Sequence, residues 1–430
     1  MHVGGVLIFD GVVTREEIVR RLRERIHLIP RYAMRIDEAP LGIANPVWVQ
    51  DDNFDPDRHV RRVALPAPGG REQLEELVGD LMSDRLDRTR PLWQIQVVEG
   101  LEGGRTGLVA RMHHALVDGI AAVDVSTVVL DPTPEPLEID APPATVAAGR
   151  VSSLAGMTAA RLHVPRKLAR DMATRALALE PRATARQIKS AAGVVGELTR
   201  IRPTAPDTRL NQSIGPDRLF AMARGALDEV KAVRRATGAT VNDVLLTAVA
   251  LMLSDFLEEP PDHVVALVPV SVRTEDERGE LGNHISTVFV DLPLTGEPLE
   301  RLARVSEAMN AVKASAQVRA GALIVGATGL APPLVSSLAV RAMSGPRMFN
   351  LVVSNVPGPQ QTFYVAGVPV REVYPAVPLN PRNQAMTVGI LSYDGGVHFG
   401  LLADRDSVPD VADAALGLER ALSVLTERAR

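Results

Sequence analysis

Two adjacent imidazoles followed by a carboxylate and a glycine, His113-His114 and then Asp118-Gly119, are the residues of this chain best suited to chemistry. An imidazole is close to half-protonated near neutral pH, so it can take a proton from a hydroxyl and return it within one cycle. A base of this kind needs a fixed tautomer. Asp118 can hold the His114 ring directly, or pair with a distant arginine and hold the loop, and spacing alone does not separate the two. Gly119 lets the backbone turn with no side chain in the way. Two histidines and an aspartate can also ligate a metal, but the chain has no HExxH and no cysteine, so no metal is expected. A histidine pair that merely fills a core is a poor account of the Asp-Gly beside it.

The elements around the pair are a strand and a helix. The apolar run from Leu108 has strand length and composition, and a helix is expected from Ile120 to Leu130. An extended strand puts Leu108, Ala110, Met112 and His114 on one face and Val109, Arg111 and His113 on the other. The two histidines therefore have different jobs.

His113 to Gly119 resembles the HHxxxDG signature of the CoA-dependent acyltransferase superfamily, and more closely its bacterial wax ester synthase/diacylglycerol acyltransferase branch. Pro91-Leu92-Trp93 is similar to that branch's PLW motif, Asn242-Asp243 to its ND motif, Leu281-Gly282-Asn283 to its LGN turn, and Ser354-Asn355-Val356-Pro357-Gly358-Pro359 to its SNVPGP loop. HHxxxDG alone is shared with peptide condensation domains, whereas the combination is specific to the branch. The resemblance covers nearly the whole chain. It implies an α/β (α+β) fold of two similar sheet-and-helix subdomains meeting along a tunnel that substrates enter from opposite faces. It also implies transfer of a long-chain acyl group from acyl-CoA to diacylglycerol or a fatty alcohol, with acyl-CoA as substrate and no resident cofactor. His114 is then the general base, His113 and Asp118 its companions, and Gly119, Asn283, Ser354 and Asn355 line the substrate site, with Asn283, Ser354 or nearby backbone N–H groups as oxyanion donors. Trp93 is expected to pack behind the site, and Asn242-Asp243 to cap a helix. Relatives of this branch usually carry a short acidic and aromatic segment ahead of the strand that here begins at Met1-His2-Val3-Gly4-Gly5; an internal start, or lack of an element that closes over the site, is the expectation that follows.

Composition narrows the alternatives. The 430 residues, 46% hydrophobic and 23% charged, describe an ordinary globular chain, and 3% aromatic content leaves packing to Val, Leu, Ala and Ile. The absence of cysteine excludes disulfides and an acyl-cysteine intermediate, and fits a reducing cytoplasm. A formal net charge of −5 argues against nucleic-acid binding. There is no secretory signal and no apolar run long enough to span a bilayer, so the expected location is cytoplasmic and peripheral, on the inner membrane face or lipid droplets.

Three parts are expected along the chain: 1–130, an N-terminal subdomain with HHxxxDG; 131–205, a Pro/Ala-rich linker and basic helical segment; and 206–430, a C-terminal subdomain. Residues 150–202 carry eleven Lys or Arg against Asp171, Glu180 and Glu197. Basic helices of this kind are either a solvated face or a contact for anionic lipid or CoA phosphate. Strands are expected at Val3 to Phe9, Tyr32 to Ile36, Leu92 to Val98, Leu219 to Arg224, Val264 to Val272, Ile285 to Leu292 and Asn350 to Ser354, with a late hairpin around Asp394-Gly395-Gly396. No GxSxG, GxxxxGK[ST] or GxGxxG occurs. The rival functions are a condensation or polyketide-type acyltransferase, and a lipid-droplet-binding protein without catalysis.

Overall fold

The computed structural model describes residues 2–37, 46–116, 128–137, 205–271, 285–314, 348–380 and 384–430. Two six-stranded sheets dominate. The first is built from β1 (His2–Phe9), β4 (Val60–Ala64), β5 (Trp93–Leu101), β6 (Arg105–His113), β11 (Tyr364–Val365) and β12 (Val368–Ala376), in the order β11-β12-β1-β6-β5-β4. A separate small hairpin pairs β2 (Met34–Asp37) with β3 (Val47–Gln50). The expected strand from Tyr32 starts later, because Pro30–Ala33 forms a 3-10 turn.

The second sheet runs β7-β14-β13-β10-β8-β9, from β7 (Arg218–Ala226), β8 (His263–Ser271), β9 (Ile285–Pro293), β10 (Leu351–Pro357), β13 (Met386–Tyr393) and β14 (Gly396–Asp404). β10 lies parallel to both β13 and β8, and the other pairs are antiparallel. Strands β11 and β12 come from the second half of the chain yet complete the first sheet. Both sheets fall within one compact unit, residues 1–141 with 205–430.

Helices cover the sheets where the sequence is periodically apolar. α1 (Arg15–Arg25) starts at Thr14, whose hydroxyl accepts from the Glu17 amide at 3.2 Å, and it buries Ile18, Val19 and Leu22 against the first sheet. α2 (Arg71–Ser83) puts Leu74, Val78 and Met82 on the other face of that sheet. The same cluster takes in Phe220 and Met222 of β7 and Leu402 of β14, so α2 packs between the sheets. In the second half, α3 (Leu227–Thr237), α4 (Val241–Phe256), α5 (Pro298–Ala314) and α6 (Val411–Arg428) close one face of the second sheet. α4 is buried along most of its length, as a core helix rather than an amphipathic one. No single helix among the described residues is long and apolar enough to cross a membrane.

The crossing of β12 over the second sheet depends on glycine. Gly389 and Gly400 are cross-strand partners, and a Cβ on Gly400 would fall 1.9 Å from the Pro375 carbonyl oxygen. Only a residue without a side chain permits that approach.

Asp131, the first residue of the stretch read as a linker, is not solvated. It is fully buried, receives Arg21 and Arg25 (the latter at 2.7 Å), and its backbone exchanges two 2.8 Å bonds with Tyr364. Burial alone would push its carboxyl up, but the bonds from Arg21 and Arg25 prevail and hold it below the usual carboxylate range. Neighbouring prolines hide such a residue in sequence, since its partners lie far away along the chain.

Candidate active site

β6 delivers the histidine pair. Along it Leu108 and Met112 enter the cluster that holds Trp93, while Val109 enters the cluster of α2, which is the expected alternation. The strand ends at His113, and His114–Leu116 forms a single 3-10 turn. His113 is half-buried and His114 exposed. The Ala115 amide donates to His113 Nδ1 at 3.2 Å, so Nδ1 is an acceptor and the neutral ring carries its proton on Nε2. Burial, helped by nearby Arg88 and His114, lowers the His113 pKa. His114 has no hydrogen-bond partner among the described residues.

Four groups fix that strand end. The His113 amide donates to the Leu92 carbonyl at 2.9 Å, and Trp93 sits in register with Met112. Trp93 itself is buried, donates Nε1 to the Tyr32 carbonyl at 2.7 Å, and stacks on His59 at a centroid distance of 4.4 Å. His59 Nδ1 in turn meets the Trp93 carbonyl at 2.9 Å. Leu92 thus holds His113 through its backbone carbonyl, and Trp93 is fixed beside it through its indole.

Sequence reasoning missed Arg111, His59 and His2. Arg111, buried in the sheet, donates to the carbonyls of Leu81 and Asp84, the latter at 3.1 Å, and to Gln94 Oε1 at 2.7 Å. It ties the end of β6 to the end of α2, and burial lowers its pKa. An arginine inside an apolar strand was the available signal. His2 pairs opposite His113 across β1 and β6, with its ring edge-on to the His113 ring at 6.4 Å, and burial draws its pKa down to about 4.

The second half contributes a second constellation. Asn355 Nδ2 donates to Asn242 Oδ1 at 2.9 Å, which joins the ND and SNVPGP stretches through side chains. Asn355 was expected in a turn-rich loop. It lies instead within β10, paired with Ile390, because Leu351–Pro357 keeps its parallel ladder to β13 through Pro357. Ser354 precedes it, opposite Gly389. Asp243 caps α4 as expected: its Oδ2 accepts the Thr240 amide at 2.9 Å and the Ser306 hydroxyl at 3.1 Å, while Thr240 Oγ1 accepts the Asp243 amide. Asn242 does not cap; its carboxamide reaches across to Asn355. Asp118, Gly119 and Asn283, together with the basic helices expected over 150–202, lie outside the described residues.

Residues 1–245 match the wax ester synthase/diacylglycerol acyltransferase catalytic domain, and residues 281–426 match the WS/DGAT C-terminal domain. The chain belongs to the wax ester synthase/diacylglycerol acyltransferase family. It is therefore an acyltransferase of mixed α/β fold. A probable diacylglycerol O-acyltransferase of Mycobacterium tuberculosis, tgs2, is 32% identical over 99% of this chain and 95% of its own. A second from that organism, tgs1, is 32% identical over 99% and 91%. Among solved structures, the wax ester synthase/diacylglycerol acyltransferase of Marinobacter aquaeolei VT8 superposes with a TM-score of 0.68 at 28% identity, covering 100% of this chain and 95% of that one. The first condensation domain of the calcium-dependent antibiotic synthetase shares the fold alone, at 16% identity and a TM-score of 0.58, over 100% of this chain and 91% of its own. Family membership favours the wax ester synthase/diacylglycerol acyltransferase branch over the condensation branch, as the combination of motifs implied.

Proposed function

We propose that this family member moves a long-chain acyl group from acyl-CoA to the hydroxyl of diacylglycerol or a fatty alcohol, with His114 as general base. The observation that carries the assignment is the unequal state of the two imidazoles. His113 has its Nδ1 occupied by the Ala115 amide and its backbone clamped to Leu92, whereas His114 is exposed at the strand end and has no hydrogen-bond partner among the described residues.

His114 takes the proton of the acceptor hydroxyl as its oxygen attacks the thioester carbon. The tetrahedral intermediate collapses, the carbon–sulfur bond breaks, and the CoA sulfur receives the proton from His114. Ester and free CoA leave, and the enzyme is unchanged. No acyl-enzyme forms. The developing oxyanion requires a hydrogen-bond donor; Ser354 on β10 and Asn283 are the side chains proposed for it, with the Asn242–Asn355 pair beside Ser354. Asp118 is assigned to holding the loop after His114. Because the acceptors are nearly insoluble, the enzyme works at the cytoplasmic face of a membrane or at a droplet surface.

Purified protein given palmitoyl-CoA and a panel of diacylglycerols and fatty alcohols tests this, with thiol release and ester formation followed together. Equal amounts of both are expected. Thiol without ester means hydrolysis, and neither signal means a lipid-binding protein without catalysis.

A further inference from the structure

We propose that an arginine-lined cavity beside the edge strand β4 binds a phosphate ester group. The cavity is a shallow surface depression of about 470 Å³, open to solvent, lined by Arg15, Asp57, Arg58, Arg61, Arg62 and Arg90 together with Val60. Five guanidinium groups face a single carboxylate. That carboxylate is already engaged by Arg15 at 2.8 Å and by Arg23. Arg62 pairs with Glu99 at 2.8 Å and Arg90 with Asp87 at 3.4 Å, but exposed Arg58 and Arg61 have no acidic partner among the described residues.

One wall is set before any ligand arrives. Arg15 donates Nε to the Val60 carbonyl at 3.0 Å, and a terminal nitrogen to the Asp57 carbonyl at 2.8 Å, so its fork cannot swing away. Preset and unpaired guanidinium groups around one opening suit an anion with several oxygens and more than one charge, which a phosphate ester offers. A plainer account is that charges on an edge strand discourage pairing with other strands. It explains Arg61 and Arg62, which lie on β4 itself. It does not explain Arg15 on α1, Arg58 in the 3-10 turn Pro56–Arg58, or Arg90 before Pro91, which come from three other segments and turn to the same space.

Two phosphate esters are within reach of such an enzyme: the phosphates of CoA and the head group of an anionic phospholipid. The site does not depend on the acyl-transfer assignment, because both ligands are measured without turnover. Calorimetry with free CoA and sedimentation with phosphatidylglycerol vesicles are compared for the full chain and for the Arg58→Gln/Arg61→Gln variant. Both side chains are exposed and unpaired, so the melting temperature is expected to be unchanged. If the double variant melts early, Arg58→Gln alone serves the same comparison. The expected result is a loss of about tenfold in affinity for one probe, with a weaker salt dependence than the parent. Loss for CoA alone identifies the nucleotide phosphates, and loss for vesicles alone identifies the head group. Unaltered binding of both probes by a folded variant overturns the proposal.

Discussion

The backbone amide of His113 donates to the carbonyl of Leu92 at 2.9 Å, and the next residue, Trp93, is locked by its own indole bond to Tyr32. Trp93→Phe keeps the ring against His59 but removes the indole donor to the Tyr32 carbonyl. We expect a loss of about 1 kcal/mol in unfolding free energy, the net worth of one hydrogen bond, together with a lower turnover rate at temperatures where the variant is still folded. A normal rate in a destabilised variant would separate the tryptophan from the histidines.

The two histidines are expected to respond differently. His114→Ala should lower ester formation by about 10²–10⁴-fold without unfolding the protein. His113→Asn should be milder than His113→Ala, because an amide oxygen can take the place of Nδ1 as acceptor for the Ala115 amide. Steady-state rates with one acyl-CoA and one acceptor decide this. Comparable, small losses at both positions would remove His114 from the role of base.

Acid should destabilise the fold through His398. This residue of β14 is buried, its ring lies edge-on to Tyr374 at 5.1 Å, and Nδ1 has no hydrogen-bond partner among the described residues. Burial pulls its pKa from 6.5 to about 4, against the opposing pull of Glu372 and with a small push from Arg224. The unfolded chain therefore binds this proton more readily than the folded one. The contribution is complete above about pH 6.5 and fades as pH falls toward 4, on the order of 3 kcal/mol in all. His398→Phe fills the same space without a titrating group, so the drop in melting temperature between pH 7.5 and pH 5 should shrink. An equal drop in parent and variant would place the acid sensitivity elsewhere.

Asp131→Ala would leave the nearly fully buried Arg25 without its carboxylate, and Arg21 with only Glu17, 3.3 Å from its Nε. Removing one member of a buried ion cluster typically costs about 3–5 kcal/mol, because the remaining charge is uncompensated. Denaturant melts should show that loss. A variant as stable as the parent would mean that the arginines find water or another acid at little cost.

Much of this architecture was legible before any coordinates. The late hairpin, α4 from Val241 to Phe256 and the strand leading to His113 all follow from local period and turn chemistry. What escaped is non-local. Strand β12 carries alternating polar and apolar residues that could pair with any edge, and only its register with β1 assigns it to the first sheet. Asn355 looked like a loop residue because prolines follow closely, yet a parallel neighbour carries the strand onward past Ser354. Arg111 and Asp131 were hidden because a buried charge is recognised by its partner, and the partners are distant in sequence.

Asn242 and Asn355 join the two late motifs by a single 2.9 Å bond between carboxamides. Each amide fixes the other: Asn355 Nδ2 is committed as donor, so Asn242 Oδ1 is committed as acceptor, and the Asn242 amide hydrogens are turned outward from that bond. If the pair serves the reaction as a unit, disrupting either half releases the other. Asn242→Ala, Asn355→Ala and the double variant should then show nearly the same fall in kcat, with a coupling of about 1 kcal/mol in the double-mutant cycle. Asn355→Asp supplies the sharper comparison. It preserves shape but replaces the donor with an acceptor facing Asn242 Oδ1, so it should be at least as damaging as Asn355→Ala. Thermal melts separate this from misfolding, because both side chains are only partly buried and neither caps a helix. Additive effects in the cycle, or full activity in Asn355→Asp, would show that the two carboxamides act independently of each other.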